Sequence, residues 1–220
     1  MRAEELAKRI DHAIVKPDIT VSDVEEACRE AVFYGLRGIC VPPCYVEHAS
    51  KLLKGSDVRL CVVVGFPFGF TLPDVKAREA ELAMELGASD IDMVMNVSAL
   101  KSGFYELVLE DIGKVVEVVK ARKGVVKVIL EICYLTEEEL EKACEIAVEA
   151  GADFVKTSTG MGPGGATIKA VRTMRSVVGE RAGVKAAGGI RTYERAMAMI
   201  EAGADIIGTS TPGAILKGAR

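Results

Sequence analysis

The chain has 220 residues, half of them hydrophobic and 27% charged, with a net charge of -4 at pH 7. That length suffices for one domain with a sizeable core, and the balance excludes both disorder and a basic nucleic-acid-binding surface. A small anionic substrate remains open, because a local pocket can be positive on an acidic protein.

Residues 1–9 alternate charges with single apolar residues and lack the apolar stretch of a signal peptide. The longest apolar run, 60–70, is interrupted by Gly65, Pro67 and Gly69, so no bilayer-spanning helix is expected. The expectation is a soluble, cytoplasmic protein without a membrane partner. Short β-rich runs are expected as strands at 10–15, 38–41, 59–65, 90–96, 125–132, 153–156, 184–187 and 205–208. Amphipathic segments between them predict helices at 21–34, 46–53, 74–86, 104–121, 137–150, 168–178 and 193–202, with a short last one at 213–217. Thr20 with Asp23, and Thr136 with Glu139, have the spacing of capping boxes.

Eight β/α alternations in this length fit a single-domain (β/α)8 TIM barrel, the alternative being an open doubly wound sheet. A repeat favours the barrel. Gly35, Gly87, Gly151 and Gly203 each close a helix just before the second, fourth, sixth and eighth strands. The open sheet would instead place a G-x-G-x-x-G after its first strand, and that motif is absent.

Barrel strands are covered by helices outside, so their outward face must be apolar. On the fourth strand Ile91, Met93 and Met95 share that face, leaving Asp92 inward. On the fifth, Val126, Val128 and Leu130 point out, which sends Lys127 and Glu131 in. The same count turns Lys156 and Lys185 inward on strands six and seven. Buried charges must pair or change protonation state, and Glu131 is expected to neutralise Lys127. Lys156 and Lys185 sit at C-terminal strand ends and run into Gly-rich loops, where barrels of this kind hold their active sites. Asp11 is read as an inward hydrogen-bonding residue, and His48 as a solvated one.

A lysine attacks a carbonyl only as the free amine, and a neighbouring ammonium favours that form. Asp92 supplies a carboxylate to move protons. The loops Thr157-Ser158-Thr159-Gly160, Gly188-Gly189 and Gly208-Thr209-Ser210-Thr211 offer backbone and hydroxyl groups to a phosphate. With His12 and His48 as the only histidines, no histidine-rich zinc site can be assembled. Cys28, Cys40, Cys44, Cys61, Cys133 and Cys144 include no C-x-x-C pair and read as buried reduced thiols.

The stretches Val155-Lys156-Thr157-Ser158-Thr159-Gly160, Val184-Lys185-Ala186-Ala187-Gly188-Gly189-Ile190-Arg191-Thr192 and Asp90-Ile91-Asp92-Met93-Val94 resemble the deoxyribose-phosphate aldolase family. So do Ile10-Asp11-His12, Gly38-Ile39-Cys40-Val41-Pro42, Gly65-Phe66-Pro67 and Ile207-Gly208-Thr209-Ser210, in the same order along essentially the whole chain. The resemblance implies Lys156 as Schiff-base lysine, Lys185 as the lysine that favours its free amine, and Asp92 as acid/base partner through water. It implies reversible cleavage of 2-deoxy-D-ribose 5-phosphate to D-glyceraldehyde 3-phosphate and acetaldehyde, without metal or cofactor, in a dimer or larger homo-oligomer. Substrate contacts are implied at Cys40, Thr159, Gly160, Gly188, Gly189, Ser210 and Thr211, with Asp11, Lys127, Glu131 and Thr157 in support; Cys40 reads equally well as an inert core thiol.

Two departures stand out. Met161 occupies the place where some relatives have a phosphate-contacting lysine. The sequence ends at Arg220, without the tyrosine-ending tail of some relatives, so proton transfer is expected to fall to Asp92, Lys185 and water. The weighed alternatives are another Schiff-base aldolase or a phosphosugar isomerase on the same barrel, and a non-catalytic phosphosugar-binding barrel.

Overall fold

In the computed structural model, which describes residues 1–219, all eight β-rich runs form strands. The sequence end at Arg220, on which the expectation about a tail fell, lies outside the described residues. In chain order the elements are α1 (Ala3–Ala7), β1 (Ile10–Ala13), α2 (Val21–Tyr34), β2 (Gly38–Val41), α3 (Val46–Leu52), β3 (Arg59–Val64), α4 (Pro73–Glu85) and β4 (Asp90–Val94). There follow α5 (Val97–Lys101), α6 (Tyr105–Lys120), β5 (Val125–Ile129), α7 (Glu137–Glu149), β6 (Phe154–Lys156), α8 (Ile168–Val178), β7 (Gly183–Ala187), α9 (Tyr193–Glu201), β8 (Ile206–Thr209) and α10 (Pro212–Lys217).

The strands pair in parallel in sequence order, and β8 returns to β1, closing the barrel that the alternation predicted. Both capping boxes form, with Asp23 N donating to Thr20 Oγ1 at 3.4 Å and Glu139 N to Thr136 Oγ1 at 3.2 Å. The four repeat glycines all take positive φ, between 60° and 114°, as a left-handed helix exit requires.

Strand alternation divides the core in two. Ile91, Met93, Val126, Val128, Val155, Val184 and Ala186 face outward into the large apolar layer beneath the helices. Inside, Cys40, Cys61 and Val63 form a small apolar cluster on the β2–β3 side. The interior also holds the buried charges of Asp11, Asp90, Asp92, Lys127 and Lys185.

Several expectations need correction. β1 ends at Ala13 and not at 15, and β5 ends at Ile129 and not at 132, because Glu131 adopts left-handed φ/ψ angles of 54° and 62° that break the alternation. The five-residue helices α1 and α5 were not foreseen, being too short to show a period. His48 is half-buried, 3.4 Å from Glu25 Oε1, and not fully solvated. All six cysteines are free, but Cys44 is exposed and Cys133 only partly buried. Among the described residues, no helix is long and apolar enough to cross a membrane.

Candidate active site

Four strands bring the predicted charges together. Asp92 and Lys127 are Cα partners across β4 and β5, and Lys156 and Lys185 are Cα partners across β6 and β7. Equal registers on adjacent strands put each pair on the same face, and the outward apolar layer makes that face the interior.

Asp92, fully buried, is the hub. Its Oδ2 accepts from Lys156 Nζ at 2.7 Å and from Lys185 Nζ at 2.8 Å, while Oδ1 accepts from Lys127 Nζ at 3.0 Å and from the Cys61 thiol at 2.9 Å. Burial alone would raise its pKa, but Lys127, Lys156 and Lys185 outweigh burial and hold the carboxyl well below the usual range. Burial likewise disfavours the Lys185 ammonium, yet Asp11 Oδ2 at 2.6 Å and Asp92 together raise its pKa well above an ordinary lysine. Lys185 is therefore a fixed cation.

Below this hub a second layer anchors the first. Lys127 reaches Asp90 Oδ2 at 2.6 Å, and Asp90 also binds Arg37 and Arg59, at 2.9 and 2.5 Å. Arg37 bridges on to Asp11 at 2.8 Å. Asp11 thus has the hydrogen-bonding position expected of it. The expected Glu131–Lys127 pair does not form: Lys127 is held by Asp90 and Asp92, whereas Glu131 lies past the strand end and binds Thr159. Asp90, Arg37 and Arg59 were missed. The phase count that turned Asp92 inward also turns Asp90 inward, so that signal was present.

Lys156 opens into a cavity of about 140 Å³ at the C-terminal end of the barrel. Thr159, Gly160, Gly188, Gly189 and Ser210 line it, as expected. Gly188 and Gly189 have φ of 93° and 78°, and a Cβ at Gly188 would come within 2.9 Å of the Gly165 backbone, so glycine is needed there. Thr157 supports from below the cavity, its hydroxyl donating to Ala187 O at 2.8 Å and accepting from Ala187 N at 2.9 Å.

Two substrate-binding expectations are not met by the cavity wall. Cys40 is fully buried in the interior apolar cluster, below the cavity. Thr211 stands one residue beyond the lining Ser210, its N–H turned to Thr209 Oγ1 at 3.1 Å. Sequence reasoning in turn missed Lys16 and Arg191 as site residues, the two cationic side chains on the wall besides Lys156; Thr209 and Met161, from the loops it had singled out, also line the cavity. Lys16 follows the first strand end by three residues, and Arg191 follows the Gly188-Gly189 pair; a basic residue at a barrel strand exit was the available signal.

A further cluster of possible ligand atoms, Cys40, Cys61 and Asp92, is a poor cation site, because Asp92 already accepts from three ammonium groups. A cation there would meet their like charge.

The model of the DeoC/LacD aldolase family matches residues 6–218 of this chain. The deoxyribose-phosphate aldolase of Caldanaerobacter subterraneus subsp. tengcongensis is 56% identical over 93% of this chain and 89% of its own. That of Thermococcus gammatolerans is also 56% identical, over 98% of this chain and 97% of its own. Among solved structures, the tetrameric deoxyribose phosphate aldolase from Aeropyrum pernix superposes with a TM-score of 0.92 at 38% identity, covering 98% of this chain and 91% of that one.

Proposed function

Because the chain belongs to the DeoC/LacD aldolase family, we propose that it reversibly cleaves 2-deoxy-D-ribose 5-phosphate to D-glyceraldehyde 3-phosphate and acetaldehyde through a Schiff base at Lys156. The observation that carries this reading is the shared Asp92 oxygen, with Lys156 at the cavity and Lys185 behind it. Lys185 is anchored by two carboxylates, whereas Lys156 has Asp92 alone and lines the cavity, so Lys156 is the member of the pair assigned as nucleophile.

The free Lys156 amine attacks the substrate's C1 aldehyde, and loss of water gives an iminium. A base removes the proton of the C3 hydroxyl, the C2–C3 bond breaks, and its electron pair passes into the iminium. Glyceraldehyde 3-phosphate departs, leaving an enamine on Lys156. Protonation at C2 and hydrolysis release acetaldehyde and restore the amine. Asp92, with water, is the carboxylate placed to carry these protons. The phosphate end is assigned to Gly188, Gly189 and Ser210 with the cations Lys16 and Arg191, which stand in for the lysine replaced by Met161.

Incubation with deoxyribose 5-phosphate or acetaldehyde, borohydride reduction and peptide mapping test the reading. One adduct at Lys156 is expected; no adduct, or one at Lys185, removes it.

Assembly as a homo-oligomer belongs to the same proposal. It is supported by the relative described as tetrameric and by exposed apolar side chains here, including Phe104 and the stacked rings of Phe68 and Phe70, 5.5 Å apart. Light scattering on the eluting protein checks it; a monomer at micromolar concentration refutes it.

A further inference from the structure

Glu131 has no part in the chemistry above, yet its placement is tightly specified. Among the described residues only Lys123 shares with it a positive φ at a position that carries a side chain. Such a conformation persists where the surroundings over-determine it. Here Leu130 N donates to Lys156 O at 2.9 Å and Ile132 N to Thr157 O at 3.0 Å, so the chain on both sides of Glu131 is stitched to the β6 exit. The left-handed residue between them delivers its side chain to the next loop and not to the barrel interior.

The Glu131 side chain is 4% exposed, and among the described residues no lysine, arginine or histidine pairs with it within 4.0 Å. Hydrogen bonds hold it instead. Thr159 N lies 3.3 Å from each of its oxygens, and the Thr159 hydroxyl donates to Oε2. That hydroxyl also accepts from Met161 N at 3.0 Å. Glu131, through Thr159, therefore fixes the three residues Thr159, Gly160 and Met161.

Those three residues line the Lys156 cavity, whose lining also includes Gly188, Gly189 and Arg191. Behind the wall lies a second, smaller cavity of about 60 Å³, lined by Glu131, Phe68 and Tyr134. The wall is thin, with space on both faces, and Glu131 braces it from behind. Space behind a wall lets it relax when the brace is removed.

We infer that Glu131 is a positioning residue that sets the Thr159–Met161 wall, and through it the preference for a phosphorylated over an unphosphorylated sugar. The inference rests on the aldolase reading. Binding energy from a remote phosphate is used to align the reacting carbon, so a displaced wall lowers turnover of the phosphorylated substrate without touching the amine chemistry. A shift on the order of 1 Å in such a wall is worth up to about 10²-fold.

The test compares kcat/KM for 2-deoxyribose 5-phosphate and for 2-deoxyribose in Glu131→Ala, Glu131→Gln and Thr159→Val, with acetaldehyde trapping as control. In Glu131→Ala the phosphorylated substrate is expected to lose about 10- to 100-fold, with KM rising, and 2-deoxyribose less than about 3-fold. Glu131→Gln keeps one acceptor oxygen for Thr159 N–H and is expected to recover most of the loss. Thr159→Val removes the hydroxyl link at a residue that itself lines the cavity, and is expected to lower kcat/KM for 2-deoxyribose 5-phosphate by about 10-fold or more, which keeps the question decidable if Glu131→Ala does not fold. Equal losses on both substrates, or a fall in Tm with both efficiencies unchanged, overturn the inference. Failure of the wild-type protein to form an acetaldehyde adduct overturns the aldolase reading instead; an adduct in wild type and variants alike isolates the effect to the wall.

Discussion

Lys156 and Lys185, Cα partners across β6 and β7, donate to one oxygen, Asp92 Oδ2, at 2.7 and 2.8 Å. Two ammonium groups on one carboxylate oxygen are unequal here, since Lys185 has Asp11 as a second partner at 2.6 Å. The charge of the pair is thereby fixed on Lys185, behind the cavity, and the group able to become a nucleophile is left at its floor.

Replacing Lys185 with leucine removes that fixed cation. The acidic limb of kcat/KM against pH is expected to move to higher pH, and turnover at neutral pH to fall by about 10²–10⁴-fold. An unchanged pH–rate profile in the variant contradicts the electrostatic role.

Asp92→Asn should damage both stability and activity. It leaves Lys127, Lys156 and Lys185 without their shared carboxylate in a buried layer, and breaking such a pair costs about 3–5 kcal/mol. Denaturant unfolding reads the first effect. Single-turnover trapping reads the second, with iminium formation slowed by about 10²–10⁴-fold.

His12 predicts an acid-side loss of stability. Buried on β1, it has its pKa lowered from 6.5 to about 4, because burial outweighs a backbone hydrogen bond at Ser210. The unfolded chain takes up a proton below about 6.5 that the folded chain refuses until about 4. Stability is thus complete above that window and falls with pH through it, by about 3 kcal/mol in total. In His12→Asn the slope of unfolding free energy between pH 6.5 and 4 should flatten; an identical slope removes His12 as its source.

Dialysis against EDTA is expected to leave activity intact. Asp92 is saturated by ammonium donors, and the rest of the Cys40–Cys61–Asp92 cluster consists of buried thiols, that of Cys61 pushed well up by burial. Strong loss of activity on chelation would send the mechanism back to a metal.

The sequence alone determined the barrel, the inward phase of Asp92, Lys127, Lys156 and Lys185, and the loops around the cavity. Strand alternation under an outer helical layer is a local rule with a period of two, so it can be counted without coordinates. The count failed at Glu131, where one left-handed residue after Ile129 turned a supposed partner of Lys127 toward Thr159. Pairing across the barrel was also beyond it. That Lys127 takes Asp90 and Asp92, and that Lys185 takes Asp11, depends on the stagger of eight strands, which brings residues 174 positions apart to 2.6 Å. Nor does an alternation rule say which residues line a space: Lys16 and Arg191 come from loops whose paths only the closed barrel sets. Sequence chose which face each charge occupies; the tertiary structure decided its partner, because partnership depends on register around a closed ring and on backbone angles at strand exits.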